Sequence, residues 1–400
     1  YSLATSHGMK TASILALLCW FSTLFSPIAA QGQVSITDMA VFYTFGDQIT
    51  FQARIESNET IQTVYLALQP TGEAPRLTSI AFSQNEIIVQ RPAAEIGIRP
   101  FSEVTYWYQV VTTAGNEFLS PTSTFQYDDN RIQWQILQTD TFLIHWQEGD
   151  AAFGQKLLNA SNLGLKKAQD ILPVVPQIPL RIFVYPSASQ LQNVLTISRE
   201  SWIAGHASPD LGVLLVSISP GPDASYEMER QIPHEIAHIL IYQQAGTGYN
   251  NLPIWLNEGL ASQAELYPNP DYRRALNRAT SENSLLAFSA ICQSFPRDTS
   301  GAFLAYAQSA SFVGFLHQKF GSSGLQRLMA EYQDGKDCET GIQSAFGVSL
   351  TQLQTRWEQE TLGNDPGALF WQHIRPFAIL GLLTLLPPLL IALFGRRRTI

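Results

Sequence analysis

Residues 231–244 read QIPHEIAHILIYQQ. Ile236, Ala237, Ile239, Leu240 and Ile241 make this segment strongly apolar, so a helix here belongs in a core rather than on a surface. A core helix cannot carry histidine and glutamate for nothing, because polar groups left unpaired on leaving water cost roughly 2–7 kcal/mol each. Positions i and i+4 of a helix stand on one face, one turn apart. His234 and His238 can therefore offer two imidazoles to one metal ion. Glu235 points about 100° round the helix, which makes it a poor third ligand but lets it reach a water at the open position of a catalytic metal site. A cation makes such a water acidic and a neighbouring carboxylate takes its proton, which is the chemistry behind the H-E-x-x-H pattern. A purely structural zinc would need a fourth protein ligand, and no cysteine lies nearby.

Two imidazoles leave a third ligand to be found. The metzincin pattern requires glycine at 241 and histidine at 244, where Ile241 and Gln244 stand. A downstream aspartate is missing from AGTGYNN. The next segment is LPIWLNEGLASQAEL, with Pro253 suited to a first helical turn. Trp255, Leu256, Leu260 and Ala261 give this second helix an inner face, and Glu258 falls on it. Two apolar helices joined by a short glycine-containing turn form a hairpin that folds Glu258 back toward His234 and His238.

HEIAH followed about twenty residues later by NEGLA resembles the gluzincin metallopeptidases, the group that contains thermolysin and the zinc aminopeptidases. More closely, IPHEIAHILIYQ, LPIWLNEGLA and YAQSASFVGFL together resemble the peptidase MA-like domain of bacterial exported proteins, a likeness spanning 131–362. The resemblance implies one Zn2+ per chain, with Glu258 as third ligand beside His234 and His238. It implies Glu235 as general base, Asn257 as a supporting group behind the ligands, and Tyr306 as a hydrogen-bond donor to the developing oxyanion. It also implies a peptide or protein substrate lying along an edge strand, for which Leu211–Ser219 (LGVLLVSIS) is the candidate. The GxMEN pattern of the aminopeptidases is not present there, which favours an endopeptidase.

The remaining chain sets the context. Hydrophobic residues make up 45% and charged residues 14%, and the net charge of −9 argues against a nucleic-acid partner. Residues 1–30 read as a signal peptide, with Lys10 before an apolar run and Ala29-Ala30 at its end; 1–8 is an extension ahead of Met9. A retained N-terminal anchor is the alternative. Residues 31–128 alternate apolar and polar positions between turn signals, as an all-β immunoglobulin or fibronectin-III-like sandwich does. Strands and then helices over 131–362 give an α+β layout of the gluzincin, thermolysin-like kind. Helices are expected at 253–267, 272–290, 302–320, 322–333 and 350–362. A linker, 363–376, leads to the uncharged run 377–394, long enough to span a bilayer as a transmembrane helix, and to a basic tail at 395–400 that belongs in the cytoplasm. The chain is thus expected to be multidomain, membrane-anchored and extracytoplasmic. Beyond the signal, only Cys292 and Cys338 remain, and outside the cytoplasm they can pair in a disulfide or stay two buried thiols. His145, His206, His317 and His373 are read as structural, with His206 the one that can border a cleft. The alternative to an enzyme is a surface binding, adhesion or sensor protein on an inactive peptidase fold, and the sequence leaves the oligomeric state open.

Overall fold

The computed structural model describes residues 34–363 except 84, 178 and 198–204, together with 374, 375, 377 and 380. The signal segment 1–30, the tail 395–400, His373 and all but Phe377 and Leu380 of the run 377–394 lie outside the described residues. Among the described residues, no helix is long and apolar enough to cross a membrane.

Strands β1 (Val34–Thr44), β2 (Gln48–Ser57), β3 (Ile61–Pro70), β4 (Arg76–Ile80) and β5 (Glu86–Pro92) come first, then the single turn α1 (Ala93–Ile96). Strands β6 (Glu103–Thr112), β7 (Glu117–Leu119) and β8 (Ser123–Gln126) complete the N-terminal part. They form two antiparallel sheets, β1-β2-β5 and β4-β3-β6-β7, with β8 also paired to β6. In β6 the alternation is visible residue by residue: Val104, Tyr106, Tyr108 and Val110 are buried while the residues between them are not. The result is the sandwich-like arrangement that the alternation implies.

A further sheet is built from β9 (Gln135–Gln138), β10 (Phe142–Trp146), β11 (Leu180–Tyr185), β12 (Gly205–Ser208) and β13 (Val213–Ser217) in the order β12-β13-β11-β10-β9. Strands β10, β11 and β13 are parallel, and β9 and β12 close the two edges antiparallel. The helices are α2 (Ala151–Ile171), α3 (Ala188–Ile197), α4 (Ala224–Ala245), α5 (Ile254–Ala264), α6 (Pro270–Ser281), α7 (Thr299–Gln333), α8 (Cys338–Phe346) and α9 (Leu350–Leu362).

Both faces of this sheet are covered. Ile182, Val184, Leu214 and Val216 pack into the helical core, while Phe183, Tyr185, Val213 and Leu215 pack into the core of the sandwich. That is why LGVLLVSIS is apolar without alternating: a strand buried on both sides reads as a continuous hydrophobic run. The chain between the two parts, 128–134, is therefore not a loose boundary. Phe101 lies against Phe183 with ring centroids 4.6 Å apart, and the Arg181 guanidinium donates to the Phe101 carbonyl at 2.9 Å and pairs with Asp128. Asp129, wholly buried, accepts from Arg131 at 2.7 Å and from the Tyr185 hydroxyl at 3.3 Å. The sandwich is thus the back wall of this sheet.

Three expectations change. The sheet edge is β12, because the strand expected there, β13, is itself covered by β12 on one side and β11 on the other. The helix expected at 272–290 ends at Ser281, and an irregular segment runs on to α7. Helices expected at 302–320 and 322–333 are two halves of α7, broken at Gly321, whose φ of +67° only glycine adopts readily. Helix α8 has no counterpart among the expected helices.

His145 illustrates what the interface demands. Its ring stacks on Phe183 at 4.3 Å, and among the described residues its buried Nδ1 has no hydrogen-bond partner. Burial holds its pKa below the usual histidine value, with the Arg181 charge acting in the same direction and Asp128 against it. The unfolded chain takes up that proton near pH 6.5 and the folded chain only at lower pH, so stability is lost as pH falls from about 6.5 through the folded value. His145→Phe keeps the stack and removes the titration. Its melting temperature should fall less between pH 7 and pH 5 than that of the parent, as read by calorimetry.

Candidate metal centre

Helix α4 carries His234, Glu235 and His238, and a short 3-10 turn, Gly246–Asn251, reverses the chain into α5 with Asn257 and Glu258. Two close approaches fix the geometry. Gly164 of α2 faces Pro233, where an added Cβ would fall 2.6 Å from the proline ring, so α2 can press against α4 one residue before His234. Gly259, beside Glu258, lies against α7; a Cβ there would meet the Ser309 carbonyl at 2.6 Å. Pro233 has a second consequence. Lacking an N–H, it leaves the Glu229 carbonyl free inside the helix, and the Leu266 N–H takes it at 2.9 Å. The chain just after α5 is thereby tied to α4.

That tie places Glu265. His234 Nδ1–H donates to Glu265 Oε1 at 2.9 Å, and His238 Nδ1–H donates to Asn257 Oδ1 at 3.1 Å. With both Nδ1 atoms engaged as donors, both Nε2 atoms face inward, where a metal ion would take the place of a proton. They converge on Glu258: His234 Nε2 is 3.4 Å and His238 Nε2 is 3.7 Å from Glu258 Oε2. The three ligand atoms lie within 4.8 Å of one another. Ligands about 2.0–2.1 Å from a tetrahedral zinc stand about 3.3 Å apart, so this set fits the ion with little movement. The fold therefore brings together all three residues expected to hold the metal, with Asn257 where a supporting group was expected.

Electrostatics follow from packing four ionisable groups into a small buried volume. Burial works against a charged His234, but hydrogen bonds to Glu258 and Glu265 outweigh it and raise the imidazole to about 10. His238 is lowered, first by burial. Burial acts to raise Glu258, yet the two histidines hold it below the usual carboxylate value. Glu235, 6% exposed, is pushed up to about 7 by burial, helped by Glu258 and Glu265 and opposed by His234. A carboxyl group beside the three candidate ligands is placed to exchange protons with a water.

Tyr306 sits in the second turn of α7, inside the helix rather than ahead of it, with its ring edge-on to Phe295 at 5.0 Å. Burial raises its pKa, and the nearby Glu258 and Glu235 charges add to that, so it is a neutral hydroxyl near the site. Sequence reasoning missed two residues. Glu265 is seven residues after Glu258, two helical turns along the same face, a spacing that could have found it. Tyr249, in the 3-10 turn, accepts from Asn257 Nδ2 at 3.0 Å and so anchors the group that orients His238. Burial raises its pKa to about 12.

Cys292 and Cys338 are joined in a disulfide with Cα atoms 6.2 Å apart. The bridge braces α5 directly: Ile254 N–H donates to the Cys292 carbonyl at 2.9 Å, and Trp255 Nε1–H donates to Cys338 Sγ at 3.3 Å. His145 and His317 lie away from the centre, the latter bonded to Ser322 at 3.1 Å. His206 is on the edge strand β12, close enough that a proton on it would lower His238 further.

The sequence profile of the Peptidase MA superfamily matches residues 160–363, half of the chain and the whole of this centre. The chain belongs to the Peptidase MA superfamily. No curated protein matches it. Among solved structures, an aminopeptidase N family protein from Idiomarina loihiensis is 9% identical over 84% of this chain and 75% of its own, with a TM-score of 0.34. OgpA from Akkermansia muciniphila is 17% identical over 24% of this chain and 28% of its own, with a TM-score of 0.21.

Removing the groups behind the ligands should weaken metal binding without removing it. Glu265→Ala and Asn257→Ala are each expected to loosen zinc by about 10–100-fold, whereas Glu258→Ala should abolish stoichiometric binding. Competition against a chelator with an optical readout measures all three.

Proposed function

We propose that this chain is a zinc metallopeptidase that hydrolyses peptide bonds, an endopeptidase held outside the cytoplasm by its C-terminal segment. The observation that supports it most is the convergence of His234, His238 and Glu258 with Glu235 alongside. When bound there, zinc supplies Lewis acidity, polarising the scissile carbonyl and acidifying the attacking water. Glu235 takes the proton of that water and passes it to the leaving amine. Tyr306 donates its hydroxyl proton in a hydrogen bond where negative charge gathers on the carbonyl oxygen, an effect worth roughly 3–4 kcal/mol in such sites. The β12 edge, with its outer side unpaired by any described strand, offers backbone groups to an extended substrate. Export and anchoring rest on the sequence of the two ends, 1–30 and 377–394.

Glu235→Gln separates metal binding from chemistry. The variant should keep one zinc per chain and lose hydrolysis of an unstructured protein substrate by about 10²–10⁴-fold. Hydrolysis at the parent rate would overturn the assignment of the base. A parent that binds zinc but cleaves nothing would favour the inactive binding protein.

A further inference from the structure

Glu265, which orients His234, lies just beyond α5. Its φ of −56° and ψ of 132° are extended, so the peptide unit after it has left the helix. Both ends of that unit are nevertheless held. Its N–H, on Leu266, donates to the Glu229 carbonyl of α4 at 2.9 Å. Its C=O, on Glu265, accepts from the Lys167 ammonium of α2. The two groups of a trans peptide point in opposite directions, so α4 and α2 grip the unit from opposite sides. The Glu265 N–H donates to the Ser262 carbonyl at 3.3 Å, which fixes the unit before it. With the backbone held on either side of Glu265, its Cα–Cβ bond has one direction, and Oε1 meets His234 Nδ1 at 2.9 Å.

Two residues bring both grips within range. Pro233 frees the Glu229 carbonyl, and Gly164, one turn before Lys167, lets α2 close onto Pro233. Lys167 is half-buried, and burial lowers the pKa of its ammonium against the opposing charge of Glu265. It stands where the free carbonyls and the dipole at the end of α5 attract a cation. A cap of that kind would by itself stabilise the helix and leave the metal alone. Here the capped carbonyl belongs to the residue that holds a ligand's ring.

Resting on the zinc reading above, we propose that Lys167 is a positioning residue of the metal centre: by gripping the peptide unit after Glu265 it sets the orientation of His234, and so the affinity and geometry of the metal site. It acts through Glu265 alone.

The test uses the full-length protein loaded with zinc, or with cobalt(II) as a coloured probe of the same ligands. Lys167→Met keeps the length of the side chain and removes its donors. It should weaken zinc by about 10-fold in chelator competition, and move the visible cobalt band in the same direction as Glu265→Ala does. Lys167→Arg, which keeps the donors, should recover most of the affinity. In a Glu265→Ala background the Lys167→Met change should weaken zinc no further, because the residue it acts through is gone. A helix cap alone would instead lower the melting temperature of the metal-free protein and leave zinc affinity and the cobalt band where they were. That result overturns the proposal, and so does an equal loss of affinity in both backgrounds. Lys167→Gln is the milder variant should Lys167→Met fold poorly, and the same direction of change is expected of it. Because the readout is the metal, a parent that binds zinc without cleaving peptides removes the peptidase reading and leaves the role of Lys167 standing. A parent that binds no zinc removes both.

Discussion

Two imidazole nitrogens and a carboxylate oxygen meet within 4.8 Å in the wall of an apolar helical core, with two more carboxyl groups, Glu235 and Glu265, close by. A cation bound among them would offset the hydration that such a cluster of acceptors loses. Much of the local structure is arranged around that cluster. Glu265 and Asn257 turn the two rings so that Nε2 faces inward, and Tyr249 in turn holds Asn257. Pro233 sacrifices one helical hydrogen bond, and the carbonyl it frees anchors the chain beside Glu265.

Rigidity for this arrangement comes from outside the motif. Helix α5 is pressed onto α7 at Gly259, and its first turn is braced by the Cys292–Cys338 bridge and by Trp255, whose ring is surrounded by Phe288, Phe312 and Tyr332. A bridge closing 46 residues constrains the unfolded chain by about 4 kcal/mol in the entropic model. Helix α4 rests on a sheet whose far face is filled by the sandwich through Phe101, Phe183 and the Arg181–Asp128 pair. The sandwich thus serves the site as a wall under the sheet, whatever else it contacts.

Local chemistry is the part of this structure that the sequence makes legible. His234, His238 and Glu258 declare themselves because helical spacing alone puts two histidines on one face and the glutamate on the facing helix. The strands of the sandwich declare themselves by alternation. Less legible was anything decided by a partner distant in sequence. LGVLLVSIS looks the same whether it is an edge or an interior strand, since the run reports only that both faces are covered. Segment 282–298 carries enough apolar residues to look helical, yet Phe288, Ile291 and Cys292 are buried from an irregular backbone held by Gln308, Gln354 and the disulfide. Asp128 and Asp129 look like linker residues until Arg181 and Tyr185 arrive from more than fifty residues away. Tyr249 sits in a turn whose sequence signals only the turn.

The most direct measurement of the central claim is anomalous scattering at the zinc edge from crystals of the protein grown with zinc. A single strong peak about 2.0–2.2 Å from His234 Nε2, His238 Nε2 and a Glu258 oxygen is the predicted result. A peak elsewhere on the chain, or one bound by the histidines with the Glu258 carboxylate turned away, would contradict the account.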